Sequence, residues 1–240
     1  MKTVLITGAN KGIGFETAKQ LAQLGYYVYL GSRDKAKGLE AIKKLSELGI
    51  SNAAAIEIDV ADIDSIKQAR KELESTIGQL DVLINNAGIA GDQPQNMSVC
   101  DMGLLRSVFE TNYFGAIQTT QQFIPLLKRS ALPIIVNVST EIGSLTMQTS
   151  PGRHPNWNNY HAYGSSKTAL NAFTILLANE FKDTNFKINS VTPGYTATDL
   201  NAHQGLKTVE QGARPIVKYA TLGPDGPTGK FFKEEGEVAW

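Results

Sequence analysis

Tyr163 and Lys167 stand four residues apart near the start of a stretch, 162–181, that has helical period. On a helix that spacing puts both side chains on one face and lets the ammonium lie close to the phenol. A neighbouring cation favours phenolate, so the phenol is expected to be drawn down from its ordinary pKa of about 10 toward the working pH. Such a phenol can hand a proton to a carbonyl oxygen while hydride reaches the carbonyl carbon, which is general acid catalysis. Ser139 directly follows the apolar run 134–138. As the residue after a parallel strand it would stand at the edge where open α/β sheets gather ligands, with its hydroxyl free to hold the same oxygen.

Other chemistries fit these residues less well. The three histidines, His154, His161 and His203, form no His-x-x-x-His pair, so no metal site is expected. Ser139 lies in Val138-Ser139-Thr140-Glu141 and lacks the Gly-x-Ser-x-Gly elbow that exposes a hydrolase nucleophile, which sets that class well below a reductase.

A hydride donor needs a binding site, and the first apolar run leads into one. Thr7-Gly8-Ala9-Asn10-Lys11-Gly12-Ile13-Gly14 joins a short strand to a helical segment. In that context Gly8, Gly12 and Gly14 let the chain turn sharply and approach a pyrophosphate at the helix N-terminus, with Asn10, Lys11 and Ile13 around it. The spacing Gly-x-x-x-Gly-x-Gly differs from the Gly-x-Gly-x-x-Gly dinucleotide pattern, and no Gly-Lys-Ser/Thr follows as in a P-loop. The second strand ends Ser32-Arg33-Asp34. Asp34 directly precedes a helical segment and reads as an N-cap, whereas Arg33 can fork onto a ribose 2′-phosphate and Lys11 adds a second positive charge there. That pattern favours NADP(H) over NAD.

The elements that must position these residues alternate. Apolar runs at 3–7, 26–30, 53–58, 82–84, 134–138 and 187–191 are separated by helical segments at 12–24, 35–48, 63–77, 104–128 and 162–181. Runs such as Ile134-Ile135-Val136-Asn137-Val138 lack clean period-2 alternation, as strands covered on both faces do. The reading is an α/β fold with a doubly wound, mostly parallel, Rossmann-like sheet in a single domain spanning 1–240. Pro125 should bend or end the 104–128 helix near its last turn, and Asn112 interrupts that helix. Lys plus Arg and Asp plus Glu both total 23, which gives no electrostatic reason to expect nucleic acid or an anionic membrane, so a small ligand is expected. The lone Cys100 excludes an internal disulfide, and the N-terminal apolar run is too short for a signal peptide, so a cytoplasmic protein is expected.

In order along the chain, the Thr7–Gly14 turn, Asn85-Asn86-Ala87-Gly88, Ser139, Tyr163-Gly164-Ser165-Ser166-Lys167 and Pro193-Gly194 resemble the motifs of the short-chain dehydrogenase/reductase family. Within it, residues 8–16, Gly31-Ser32-Arg33-Asp34 and Val238-Ala239-Trp240 look most like the carbonyl reductases. The resemblance implies that Asn112 completes the catalytic set with Ser139, Tyr163 and Lys167 by holding a water against the lysine, and that Lys167 also binds ribose. It further implies that Asn86, Ala87 and Gly88 line the dinucleotide, that Asp59 and Val60 contact adenine, and that Pro193, Gly194, Thr196 and Thr198 lie beside the nicotinamide. Asp59 can equally be a helix cap.

The resemblance also marks an active-site insert at about 143–161 and a substrate-side segment at about 195–215, where 205–209 reads as the start of a mobile lid. Met147, Pro151, His154, Pro155, Trp157 and Tyr160 can wall a pocket for an apolar or aromatic ketone, or form a dimer surface. Monomeric carbonyl reductases carry a longer insert and many oligomeric members a shorter one, so the 163 − 139 = 24 positions here leave monomer and homo-oligomer open. NADPH-dependent reduction of a ketone or aldehyde is the expected activity. The alternatives are an NAD-linked alcohol dehydrogenase and a non-catalytic dinucleotide-sensing regulator.

Overall fold

Runs of Val, Ile and Leu with no polar alternation fold as strands whose two faces are both covered. In the computed structural model, which describes residues 1–240, β1 (Thr3–Ile6), β2 (Tyr27–Ser32), β3 (Ala53–Glu57), β4 (Val82–Asn85), β5 (Ile134–Val138) and β6 (Lys187–Val191) pair in parallel. Two further strands close the sheet, β7 (Lys230–Lys233) parallel to β6 and β8 (Gly236–Glu237) antiparallel to β7. The order is β3-β2-β1-β4-β5-β6-β7-β8, so the winding reverses between β1 and β4. At such a reversal the loops leaving two adjacent strands diverge and open a crevice.

Helices cover both faces. On one side α1 (Gly12–Gln23), α2 (Lys35–Glu47) and α8 (Val209–Ala220) pack Leu21, Leu45 and Ile216 onto Val4, Ile84 and Val136. On the other, α3 (Ile63–Thr76), α5 (Gly115–Leu127) and α7 (His161–Glu180) pack Leu73, Phe123 and Leu177 onto Leu5, Leu83 and Ile135. The alternating register of β1, β4 and β5 thus divides one hydrophobic run between two cores. No helix is long and apolar enough to cross a membrane.

Three differences from the sequence reading stand out. The expected helix at 104–128 is a composite of α4 (Met102–Phe109), a π-helical turn (Glu110–Phe114) and α5, so the irregularity falls around Asn112, while α5 carries Pro125 and ends two residues later. As expected, Pro125 sits in the last turn, where the helix ends. The insert is folded into a 3₁₀ turn (Glu141–Gly143), the short α6 (Leu145–Gln148) and a second 3₁₀ stretch (Pro155–Tyr160). Residues 205–209 are not free chain. Leu206 and Lys207 both donate backbone bonds to the Tyr195 carbonyl and Ala197 donates to that of Lys207, before Thr208 caps α8.

Candidate active site

The glycine turn stands at the winding reversal, between the ends of β1 and β4. Gly8 and Gly12 have φ of 62° and 59°, left-handed values that disfavour a side chain. A Cβ on Gly14 would come within 2.5 Å of the Asn86 amide nitrogen, so this glycine is required by close packing of α1 against the loop after β4. That loop is pinned from both ends. The Thr7 hydroxyl accepts from the amides of Asn86 and Ala87, each at 3.0 Å, and the Asn86 side chain donates to the carbonyls of Thr7 and Gly8. At the head of α1, Lys11 holds the capping position but offers no side-chain acceptor, and the first turn contains no acid. Its leading N–H groups therefore remain available to an anion.

Around the 2′-phosphate end, Asp34 caps α2 by accepting from the Lys37 amide at 3.0 Å, as expected. Arg33 is exposed and makes no ion pair. Lys11, expected to be free for the phosphate, instead pairs with Asp199 at 2.6 Å, because the 198–203 turn folds back over the glycine turn. Asp199 is also bonded to His203 at 2.8 Å, and its carboxyl is held below the usual range by Lys11 first and His203 second. Asp59 is not the cap of α3, a role filled by Asp62. It accepts from the Ala61 amide at 3.0 Å in a local turn, while Val60 packs beneath Gly115.

The chemistry-bearing residues meet at the carboxyl edge of β5. Ser139 donates its backbone N–H to Val191, and its hydroxyl, 1% exposed as a residue, has no hydrogen-bond partner. Lys167 is 3% exposed and bonds the Val138 carbonyl at 2.8 Å, with no carboxylate partner. Its ammonium lies 5.9 Å from the centre of the Tyr163 ring, on the same face of α7. Asn112 is placed by the π turn so that its Oδ1 accepts from Ile89 N at 2.8 Å and its Nδ2 donates to Ile89 O and to Ser166 Oγ. A Cβ built on Gly88 would touch both Asn112 Oδ1 (3.2 Å) and Lys167 Nζ (3.5 Å), so the two groups flank one spot. Tyr160 meets Tyr163 edge to face, 6.4 Å between centroids, consistent with a wall and not with a second acid.

The electrostatics correct one expectation. The Tyr163 phenol is not lowered but raised, first by burial and then by Tyr160. Burial alone brings the Lys167 amine down to about 8. Desolvation penalises a charge of either sign, and it is the leading cause of both shifts. On the substrate side, the Thr196 hydroxyl is turned into its own loop, 3.3 Å from the carbonyls of Pro193 and Gly194, whereas the Thr198 methyl lies at the glycine turn, 3.8 Å from where a Gly12 Cβ would be.

A cavity of about 500 Å³ is bounded by Met97, Ile142, Leu145, His161, Ser165 and Thr168. At 100° per residue, Ser165 and Thr168 point away from Tyr163 and Lys167, so this cavity lies behind the helix that carries them. None of Met147, Pro151, His154, Pro155, Trp157 and Tyr160 lines it. Sequence reading offered no signal for Asp199 or Gln95, whose partners are 188 and 68 residues away, and although Ser166 lies in the Tyr163–Lys167 motif, its partner Asn112 is 54 residues away.

A helix head open to anions stands at the winding reversal between β1 and β4, and a buried hydroxyl with nothing to bond lies after β5 at the same carboxyl edge, where α/β sheets of this kind bind nucleotides. The chain belongs to the short-chain dehydrogenase family, which it matches over residues 2–208. Among curated relatives, (+)-neomenthol dehydrogenase of Capsicum annuum is 34% identical over 297 aligned residues, covering 95% of this chain and 94% of that one. The solved structure of salutaridine reductase from Papaver somniferum superposes with a TM-score of 0.84 at 30% identity, covering 98% of this chain and all of that one. The NADPH-bound carbonyl reductase from chicken fatty liver gives 0.86 at 26% identity, covering 100% and 99%.

Proposed function

We propose that this protein reduces a ketone or aldehyde to an alcohol with NADPH, with Tyr163 as proton donor. The observation that carries the reading is the Ser139 hydroxyl, buried and without a partner at the edge where Lys167 and Tyr163 gather. An orphaned buried hydroxyl is unfavourable unless a ligand completes it, and a carbonyl oxygen is the acceptor that would do so. The names of the relatives agree: one is a dehydrogenase of neomenthol, one a salutaridine reductase and one a carbonyl reductase with NADPH bound.

The uncapped head of α1 and the Gly8–Gly14 turn fit a pyrophosphate, and the unpaired Arg33, with Lys11 released from Asp199, fits a 2′-phosphate. With Asp34 committed to capping α2, no carboxylate is positioned to read a ribose 2′-hydroxyl at the end of β2. The bound dinucleotide would supply hydride to the carbonyl carbon. Ser139 orients the oxygen by donating to it, and the Tyr163 Oη proton moves to that oxygen as the C=O π pair becomes its lone pair. Lys167, charged below about pH 8, stabilises the phenolate left behind, and Asn112 fixes the Ile89 loop against the same helix.

Replacing Tyr163 by Phe removes only the proton. With NADPH consumption followed across a panel of carbonyl compounds, turnover is expected to fall at least about a hundredfold while the cofactor still binds. An unchanged rate would refute the assignment.

A further inference from the structure

Tyr163 is the residue whose position the proposed reaction constrains most, and its own backbone is held by two buried side chains, Gln95 and Ser166, of which no sequence motif marks the first. Gln95 is fully buried, and its Oε1 accepts from the Tyr163 N–H at 3.1 Å. That amide belongs to the first turn of α7, where Tyr160 at the capping position supplies no side-chain acceptor. The other half of the same carboxamide donates to Ala90 O at 2.7 Å and to Asp92 O at 3.1 Å. Ser166, also fully buried, donates its hydroxyl to the Tyr163 carbonyl at 2.7 Å and accepts from Asn112 Nδ2 at 3.0 Å. Asn112 in turn grips both the N–H and the C=O of Ile89.

These bonds close a ring. From Tyr163 N the path runs through Gln95 to Ala90, along the chain to Ile89, through Asn112 to Ser166, and back to Tyr163 O. Ile89 and Ala90 directly follow Ala87 and Gly88, the loop tied to the glycine turn through Thr7. We propose that Gln95 and Ser166 are positioning residues that clamp the Tyr163 backbone to the loop after β4, so that the phenol and the dinucleotide pocket keep one fixed separation. The proposal rests on the reductase reading for its consequence, since near-attack geometry is what such a clamp protects. A displacement of about 1 Å in a reacting group can cost about a hundredfold in rate.

Gln95 is fully buried and touches no solvent-lined surface, so it cannot contact substrate. Substituting it therefore separates positioning from binding. Gln95→Leu keeps most of the volume but leaves the Tyr163 N–H and the Ala90 carbonyl unpaired. Ser166→Ala is a milder change that opens the same ring on its other side. For both we expect kcat to fall at least about tenfold, with the KM for carbonyl and the Kd for NADPH within about twofold of wild type.

Hydrogen exchange supplies a readout that needs no turnover: the Tyr163 amide should exchange faster in Gln95→Leu while amides in β1 and β4 do not. Leu126→Ala, a core substitution far from the ring, serves as the control for lost stability and should leave kcat per folded molecule and the Tyr163 amide exchange unchanged. Unchanged exchange at Tyr163, or kcat lost only in proportion to unfolded protein, overturns the clamp. Faster exchange in a protein whose wild type reduces no carbonyl by way of Tyr163 leaves the ring of bonds standing and overturns the reductase reading, together with the clamp's catalytic role.

Discussion

Ser139→Ala should make this protein more stable and nearly inactive at once. The Ser139 hydroxyl is buried and unbonded, so folding strips its hydration without replacement. An unsatisfied buried hydroxyl of this kind costs about 1–3 kcal/mol. Alanine removes the polar atom and leaves a void no larger than one oxygen, whose penalty is about 1 kcal/mol or less. The net expectation is a gain of about 0.5–2 kcal/mol. For 240 residues, with unfolding entropy of about 2.1 cal/mol/K per residue, each kcal/mol moves the Tm by about 2 °C, so the rise is about 1–4 °C. Activity should move the other way: losing one donor aimed at the developing oxyanion lowers kcat by about 100–1,000-fold. Differential scanning calorimetry without ligand, paired with kcat on the same preparation, reads both quantities. A variant that loses 1 kcal/mol or more of stability and keeps its turnover would mean that the hydroxyl is a structural bond, and the assignment of the edge of β5 as the reaction site would fall.

Two charged residues give further tests. Lys167 titrates at about 8 when folded and at 10.5 when solvated, so between those values the unfolded chain binds more protons and the stability that depends on Lys167 rises with pH. Lys167→Met should therefore gain stability over wild type as pH is lowered from 10.5 to 8, by up to about 3 kcal/mol, and a pH-independent difference in urea midpoints would contradict a buried amine. Arg33→Ala should weaken NADPH binding by about tenfold or more and leave NADH binding within about twofold, as measured by cofactor fluorescence, because only the former carries a phosphate for the guanidinium to fork onto. Equal losses for both cofactors would remove Arg33 from cofactor selection.

The first six strands, the three helices between β1 and β4, and the edge on which Ser139 and Lys167 sit are legible because each depends on local pattern. Unbroken Val/Ile runs give buried parallel strands, and spacing by four gives one helix face. The irregularity at Asn112 is legible for the same reason, as a polar residue with no place in a regular apolar stripe. The last helix and the final two strands are not. β7 carries charged Lys230 and Lys233 at its ends around Phe231 and Phe232, and β8 is two residues long, so neither has the length or pattern of an isolated strand signal. Equally hidden are Gln95 in a loop of mixed composition and Asp199 opposite Lys11. Their roles arise only when the fold brings together residues whose separation in sequence carries no period.

The expected sign of the Tyr163 shift was wrong for an instructive reason. Spacing by four shows that an ammonium is near a phenol, but it says nothing of how dry the site is. The ammonium lies 5.9 Å from the centre of the ring, yet burial and not the ammonium sets the direction of the phenol's shift. The phenol is raised and the amine lowered to about 8, each by burial first, so the ligand-free edge disfavours charge of either sign. This asymmetry bears on direction. Reduction needs a neutral phenol that can give up its proton, and a raised pKa keeps it neutral throughout the ordinary pH range. Oxidation needs a phenolate to accept one, and that form is scarce for the same reason. Under the proposed reduction the pair is expected to act as an acid, with Lys167, still largely charged at pH 7, stabilising the phenolate that forms as the proton leaves.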